Sequence, residues 1–333
     1  MSTGVCRAPG RHVVVWINPR AGSGAARGRI DALVDRLRGD GFQVTSSADV
    51  EALLEAIGRH ERDGRLRVVV AAGGDGTLQR IVGLTTSRTP LLPFPLGTEN
   101  LVARHFGISG DPAVLAETVR CGEEVVVDAG RANGALFLIM ASCGFDADVV
   151  RRLHAERSGH IRRWSYAPHV MRAMWRYPFP RLQVRVWGGE DLPEERHIEA
   201  EARWVFVFNL PRYAMGLPLG HGADEQDGLL DVCLFQRGGV GRGLFYLTQV
   251  LAGRHRRLRD VRWFRATRIS ITGTDAEPSA GAIPCQLDGD PAGTLPLEVE
   301  IVPRRVRLLL PAGRGVGRRS SGERRETEEV SDD

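Results

Sequence analysis

The amino-acid sequence predicts an α/β domain followed by an all-β domain. Over residues 1–124, apolar strand-like runs alternate with helical segments, which is typical of a parallel sheet covered on both faces by helices. Over residues 125–312, short strand-like runs follow one another with Gly, Pro or Asp between them, which indicates an antiparallel sheet or β-sandwich. Residues 313–333 are rich in Arg, Ser, Glu and Asp, so we expect a disordered tail there.

The first domain carries clear local signals. Residues 66–72 form an apolar, valine-rich run that suits a buried parallel strand. Ile30, Leu33, Val34 and Leu37 have the spacing of one apolar helix face, so a helix is predicted around them. Further strands are predicted at 12–17, 41–45 and 91–95, and further helices at 50–57, 78–84 and 100–106.

The second domain is predicted from short runs in the same way. Two basic, partly helical segments, 150–177 and 244–259, interrupt the pattern. The predicted strands are 125–129, 136–142, 182–187, 202–209, 230–235, 268–272, 283–287 and 297–302.

The basic residues restrict the chemistry. All 45 are arginine, and the formal net charge is only +4, which does not by itself indicate nucleic acid as a partner. A P-loop and a protein kinase each need a lysine on the phosphates, so both mechanisms are excluded. Any phosphate chemistry must use backbone amides, a metal ion, arginine or hydroxyl groups.

Cysteine spacing and hydropathy bear on location. The five cysteines are scattered without a CxxC pair, which predicts neither a zinc site nor a disulfide framework and favours a reducing cytoplasm. No apolar run approaches the roughly 20 residues that cross a bilayer. A lipid substrate would therefore be met from the membrane surface.

Residues 73–77 end the valine-rich strand and begin a helix. In an open α/β sheet, ligands bind at this edge, where glycines let phosphate approach the amides and the helix offers its positive end. Asp75 would repel phosphate unless a cation lies between them, so we expect it to hold Mg²⁺ or a water of its shell. A tight turn capped by Thr77 is the alternative. The predicted phosphate-binding residues here are Gly73, Gly74, Asp75, Gly76 and Thr77.

Two further polar loops are expected at the same sheet edge. Asn18 ends the first strand and precedes Gly22, Ser23 and Gly24, which suits contact with ribose or phosphate. Thr98 and Asn100 follow the strand at 91–95. Each loop alone also fits an ordinary strand-to-helix connection, but the three together favour a nucleotide cleft.

These loops resemble the diacylglycerol kinase catalytic family. The resemblance is closest to its bacterial soluble branch, the YegS-like lipid kinases, which are related to sphingosine and ceramide kinases. An NPxxG-type loop, a GGDGT loop and a PxGTxN…AR segment occur here in the family's order. Three later segments also resemble elements of this family: residues 143–147 (CGFDA), 222–232 (GADEQDGLLDV) and 286–290 (QLDGD).

The resemblance implies a fold and an activity. The fold would be an NAD-kinase-like nucleotide-binding α/β domain followed by a β-sandwich, with the site between them. ATP would lie on residues 73–77 with Thr45 and Thr98 nearby, and Mg²⁺ would bind with Asp75. The product would be a phosphorylated lipid, formed in the cytoplasm or on the inner face of the membrane. A homodimer is one assembly that the resemblance allows.

The resemblance also implies a base and a second metal site. The base falls on Asp290, where the family more commonly has Glu, and Asp288 is the alternative. Both also fit a polar hairpin turn. A second Mg²⁺ would bind the Asp227 carboxylate and the carbonyl oxygens of Asp224 and Leu229, although that stretch also fits a turn before a strand.

A membrane-facing surface is one interpretation of the basic and aromatic segments at 151–181 and 254–265, and solvated helices are the other. The residues concerned are Arg162, Arg163, Trp164, Arg172, Trp175, Arg176 and Tyr177. Two alternative functions stay open at this point. One is an NAD-kinase-like metabolite kinase, and the other is a nucleotide-binding protein with weakened catalysis.

Overall fold

The computed structural model describes residues 10–18, 24–155, 166–189, 196–213, 217, 219–220, 222–274 and 282–313. The strands are β1 His12–Ile17, β2 Gln43–Ser47, β3 Leu66–Gly73, β4 Pro90–Pro95, β5 Glu123–Ala132, β6 Ala135–Phe137, β7 Met140–Gly144, β8 Leu182–Trp187, β9 His197–Ala202, β10 Trp204–Phe208, β11 Leu230–Phe235, β12 Val261–Ala266, β13 Arg268–Gly273, β14 Pro284–Leu287, β15 Asp290–Thr294 and β16 Leu297–Leu310. The helices are α1 Gly24–Gly39, α2 Val50–Arg62, α3 Asp75–Leu84, α4 Leu101–His105, α5 Pro112–Cys121, α6 Phe145–Ala155, α7 Tyr166–Arg176 and α8 Val240–Leu251, with a 3₁₀ helix at His255–Arg257.

The first part of the chain is a parallel sheet with helices against it. Strands β2, β1, β3 and β4 lie side by side in that order, and each neighbouring pair is parallel. The valines of β1 and β3 are fully buried, as a sheet covered on both faces requires. The predicted stripe of α1 is buried at Ile30, Leu33, Val34 and Leu37. The α/β prediction is confirmed.

The second part contains an antiparallel six-stranded sheet in the order β12-β11-β10-β7-β14-β15. Its apolar side chains, such as Val205 and Val232, share one buried cluster with Val184 of β8 and Ile269 of β13. Because β8 and β13 belong to the other sheet, the two sheets pack face to face. The predicted antiparallel sandwich is confirmed.

Strand β16 joins the two parts of the fold. It pairs parallel to β4 at Arg307 and Leu308 and antiparallel to β5 and β13. The nucleotide-type sheet and one sandwich sheet are therefore a single ten-stranded sheet. The sequence predicts only 297–302 here, because Pro303-Arg304-Arg305 breaks the apolar pattern. The structure accommodates the break as an irregularity between Val302 and Val306, with Arg304 at φ 53°. The limits 1–124 and 125–312 stay predictions.

The predicted strand 136–142 is wrong as a single element. The chain changes sheets there, with β6 pairing to β5 and β7 pairing to β10 and β14. At the crossing, the Asp288 carboxylate accepts hydrogen bonds from the amides of residues 138–140. A continuous apolar run carries no sign of such a crossing, because a distant carboxylate satisfies the amides that leave the ladder.

Several elements lie outside the sequence prediction. Helix α5 and strands β9, β12 and β15 were not expected. The two basic segments contain α7 and the 3₁₀ helix and overlap the later parts of α6 and α8. Residues 314–333, where the tail is predicted, lie outside the described residues, as do Gly22, Ser23, Arg162, Arg163 and Trp164.

Candidate active site

Three loops meet where β1, β3 and β4 end. The Asn18 side-chain amide, just after β1, donates a hydrogen bond to the Thr77 hydroxyl in the first turn of α3 at 2.9 Å. The amide of Leu96, just after β4, donates to the carbonyl oxygen of Gly73 at 2.9 Å. Residues from three separate loops therefore form one connected surface at the carboxyl edge of the parallel strands.

The glycines of these loops are required by close backbone contact. A Cβ atom on Gly73 would lie 2.1 Å from the Thr77 hydroxyl oxygen. A Cβ atom on Gly97 would lie 2.7 Å from the Cα atom of Gly74. The GGDGT loop and the loop after β4 are thus packed backbone against backbone beside the start of α3.

Asp75 links the same two loops. It is the first residue of α3, and its two carboxylate oxygens accept hydrogen bonds from the amides of Leu101 at 2.8 Å and Val102 at 3.0 Å. Burial raises the pKa of Asp75, while these two amide bonds favour the ionised form. Asp75 therefore caps α4 from a distance. Each oxygen keeps a second acceptor position, so binding of a hydrated cation stays a prediction.

Asn100 and Thr98 shape the loop after β4. Asn100 stands at the N-cap of α4 with φ 48°, and its side chain bonds the amide and carbonyl of Gly97 at 3.0 and 2.7 Å. This pair of bonds closes the tight loop that contacts Gly74. Thr98 is exposed in the same loop.

Asp290 is brought to the glycine loop from the far end of the sequence. It begins β15, and a Cβ atom on Gly76 would lie 3.3 Å from its Oδ2 atom. Its side chain is 51% exposed, and His154 Nδ1 of α6 lies 3.8 Å from Oδ1. An accessible carboxylate therefore stands beside the first turn of α3. A phosphate bound at that turn would lie next to this carboxylate.

Asp288, two residues earlier, has a different environment. Its carboxylate accepts amide hydrogen bonds from Leu138, Ile139 and Met140 at 2.7, 2.8 and 2.9 Å. Burial raises its pKa to about 7, and the neighbouring Asp75 carboxylate acts in the same direction. Because its acceptors already hold three backbone amides, Asp288 is suited to fixing the hairpin rather than to receiving a substrate proton.

A buried polar network supports this hairpin. The Gln286 side chain accepts a hydrogen bond from the Gly289 amide at 2.8 Å and donates to Ser142 at 2.9 Å and to Asp146 at 3.1 Å. Tyr213 also donates to Asp146. Burial raises the pKa of Asp146 to about 6. The turn that carries Asp290 is thus held by side chains from β7, α6 and β14.

Comparisons with known proteins agree with this geometry. The family model for the diacylglycerol kinase catalytic domain matches residues 12–132, and the YegS C-terminal NAD kinase beta sandwich-like domain matches residues 139–310, more than half of the chain. The chain belongs to the YegS-like branch of the diacylglycerol kinase family. The resemblance predicted from the three loops is confirmed.

Individual relatives of this lipid kinase family cover most of the chain. A "Diacylglycerol kinase" of Mycobacterium tuberculosis is 29% identical over 311 residues, covering 90% of this chain and 95% of the relative. A "Probable lipid kinase YegS-like" of Pseudomonas aeruginosa is 28% identical, covering 74% and 77%. The crystal structure of a diacylglycerol kinase from Bacillus anthracis shares the fold with a TM-score of 0.62 at 18% identity, covering 90% and 97%.

Thr45 lies within strand β2 and not in one of the three loops of the candidate site. It lies in the middle of β2, and its hydroxyl lies 2.9 Å from Nε2 of His12 at the amino end of β1. The His12 ring stacks on His60 of α2 at 3.4 Å between ring centroids. The predicted ATP contact of Thr45 stays a prediction. Gly24 begins α1.

The residues of the expected second metal site make contacts within the chain. Asp227 pairs with the Arg265 guanidinium and accepts the Leu229 amide at 2.9 Å, while Asp224 accepts the Gln226 amide at 3.0 Å. Across the described residues, no group of three or more His, Cys, Asp or Glu side chains is arranged to hold a metal ion. The Mg²⁺ site of Asp224, Asp227 and Leu229 stays a prediction, and the Arg265 guanidinium stands at its one carboxylate.

Sequence reasoning missed His154, Gln286 and Arg265 as parts of the site. Gln286 stands in the QLDGD segment, where the two aspartates are the more obvious candidates for a base. His154 and Arg265 stand in arginine-rich runs that also fit solvated surfaces. Their roles depend on contacts made across more than 30 residues of sequence, so no local pattern identifies them.

The contact between Gly97 and Gly74 leads to a first prediction. Replacing Gly97 with Ala is expected to weaken ATP binding at least about tenfold and to destabilise the fold by about 1–3 kcal/mol, because the two loops must separate. ATP titration and urea unfolding measure the two effects. Gly83 of α3 has no heavy atom within 4 Å of an added Cβ, so Gly83→Ala is the matched control. Unchanged ATP affinity in Gly97→Ala would contradict the prediction.

Proposed function

We propose that this protein transfers the γ-phosphate of ATP to the hydroxyl group of a lipid. The observation that carries the proposal is the position of Asp290 against Gly76. A carboxylate from the sandwich thereby meets the phosphate-type loop of the α/β part. Membership of the diacylglycerol kinase family supports a kinase, and the loops supply a nucleotide site without lysine.

The reaction follows from the residues that meet there. The backbone amides of the glycine loops and the first turn of α3 bind the ATP phosphates. Asp290 accepts the proton of the lipid hydroxyl as its oxygen attacks the γ-phosphorus. The bond to the β-phosphate oxygen breaks, giving ADP and a lipid phosphate monoester. The shorter side chain of Asp290 is sufficient because the hairpin holds it beside Gly76.

Magnesium would accompany the nucleotide in this proposal, and when bound it would neutralise charge on the phosphates. Asp75 is the side chain that would hold a water of its shell, since each carboxylate oxygen keeps an acceptor position beyond its amide bond. Asp75 also fixes the loop that carries Thr98 and Asn100.

The acceptor is proposed to be a membrane lipid, such as diacylglycerol, met at the cytoplasmic surface. Helix α7 supports this with Trp175, 67% exposed, one turn after the exposed Met171, and with the exposed Arg172 and Arg176 between and beside them. Exposed apolar side chains flanked by arginine suit the surface of an anionic membrane. Tyr177 is buried and belongs to the core instead. No helix in the described part of the chain is long and apolar enough to cross a membrane.

Phosphate transfer from ATP distinguishes this proposal from its alternatives. The purified protein is incubated with labelled ATP and anionic vesicles that contain diacylglycerol, a glycolipid or a sphingoid base, or with NAD in solution. We expect label in one lipid and none in NAD. The protein should also sediment with the vesicles. Label in NAD alone would show a metabolite kinase, and ATP binding without transfer to any acceptor would show lost catalysis. A homodimer stays a prediction that sedimentation velocity measures.

A further inference from the structure

The turn that precedes β11 concentrates negative charge. Asp224, Glu225 and Asp227 stand in the turn, and Asp128 of β5 lies beside it. Burial raises the pKa of Asp227 to about 6, and Asp224, Asp128 and Glu225 act in the same direction. Such a turn needs a positive charge to keep its carboxylates ionised and close together.

Most of these carboxylates hold parts of the protein. Asp128 accepts hydrogen bonds from the amides of Gly228 at 2.9 Å and Arg304 at 2.6 Å. Glu225 lies 3.1 Å from Nε2 of His105 at the end of α4. The turn therefore connects β5, β16 and the helix that follows the Thr98 loop, so its conformation bears on the nucleotide site.

Arg265 is fixed beside the turn by strand register. It lies in β12, directly opposite Asp231 of β11, the strand that leaves the turn. Its guanidinium forms an ion pair with Oδ2 of Asp227, and both side chains are partly buried. Oδ1 of the same carboxylate accepts the Leu229 amide. Both oxygens of Asp227 are therefore engaged by groups of this chain.

We propose that Arg265 is the built-in counter-ion of this turn and replaces the divalent cation expected there. A guanidinium is always charged and binds carboxylates with directed hydrogen bonds. A Mg²⁺ ion at Oδ2 would have to displace it and would be repelled by it. The turn consequently keeps its conformation without divalent metal, and the metal requirement of the protein is limited to the ion that accompanies the nucleotide.

Thermal unfolding without nucleotide tests this proposal independently of the proposed activity. At matched ionic strength, millimolar Mg²⁺ and a chelator should give the wild-type protein the same unfolding midpoint. Arg265→Gln should lower the midpoint by about 1–2 °C, because a modest ion pair shifts the unfolding midpoint of a chain this long only slightly. Arg262→Gln, an exposed arginine of the same strand, is the matched control and should change the midpoint little.

A double substitution shows whether the effect passes through Asp227. If Arg265 is its counter-ion, the loss caused by Arg265→Gln should largely disappear in an Asp227→Asn background. The proposal is overturned if Mg²⁺ raises the wild-type midpoint with saturation, since the turn would then bind metal. It is equally overturned if the two substitutions act additively. Neither outcome depends on whether a lipid is phosphorylated.

Discussion

Replacing Asp290 with Asn is expected to reduce phosphate transfer by about 10²–10⁴-fold, the usual contribution of a general base. Asn keeps the size of the side chain but does not take a proton from the acceptor hydroxyl. Because Asp290 is half exposed, the free energy of unfolding should change by less than about 0.5 kcal/mol. Transfer from labelled ATP to the lipid acceptor and urea unfolding measure the two quantities.

ATP affinity and a second variant make this result specific. Asp290→Asn should bind ATP with unchanged affinity, since the phosphates are held by the glycine loops. Asp290→Glu keeps a carboxylate at this position, and should therefore retain activity. If Asp290→Asn transfers phosphate at the wild-type rate, the base is another group and the proposed mechanism fails.

The sequence predicts strands and helices well where a short run of residues carries the signal. Strands β8 and β11 were predicted with their observed limits, since an apolar run bounded by Gly, Pro or Arg marks a buried strand. Helix α5 also carries a local signal, with Asp111 as the N-cap and Pro112 in the first turn. The fold class needed only the alternation of such elements.

Nonlocal contacts were beyond the sequence patterns. Strand β16 pairs with strands from both parts of the chain, and nothing in its 14 residues indicates that it completes the parallel sheet. For Asp75, the residue and its place at the start of α3 were predicted, but its amide bonds to α4 were not. A side chain's partners depend on which loops the fold brings together, and residue spacing does not encode them.

The two aspartates of the β14–β15 hairpin offer a comparison within one turn. Asp288→Asn is expected to lower the free energy of unfolding by about 1–3 kcal/mol, because the new amide group would face a backbone donor that now bonds an oxygen. The residue's φ of 49° suits Asn as well as Asp, so the backbone itself is not strained. Urea unfolding should show the loss in Asp288→Asn and not in Asp290→Asn.

The second large effect is expected in how the free energy of unfolding changes with pH. In the folded protein the pKa of Asp288 is raised to about 7 from an ordinary value of 3.8, chiefly by burial. The folded state therefore binds this proton more tightly than the unfolded state, so stability is greatest below the ordinary value and is lost as the pH rises through about 7. Asp146, with a pKa raised to about 6, acts in the same sense at lower pH.

Asp288→Asn should therefore flatten the stability profile at its alkaline end. Between about pH 6 and pH 8, wild-type protein and Asp290→Asn should both lose stability, whereas Asp288→Asn should change much less, since its side chain no longer titrates. The stability that Asp288→Asn still loses should be lost at pH values near the pKa values of Asp146 and Asp227, which are both raised to about 6. An Asp288→Asn profile with the wild-type slope up to pH 8 would show that burial does not raise the pKa of this carboxylate, and that its three amide hydrogen bonds keep it ionised throughout.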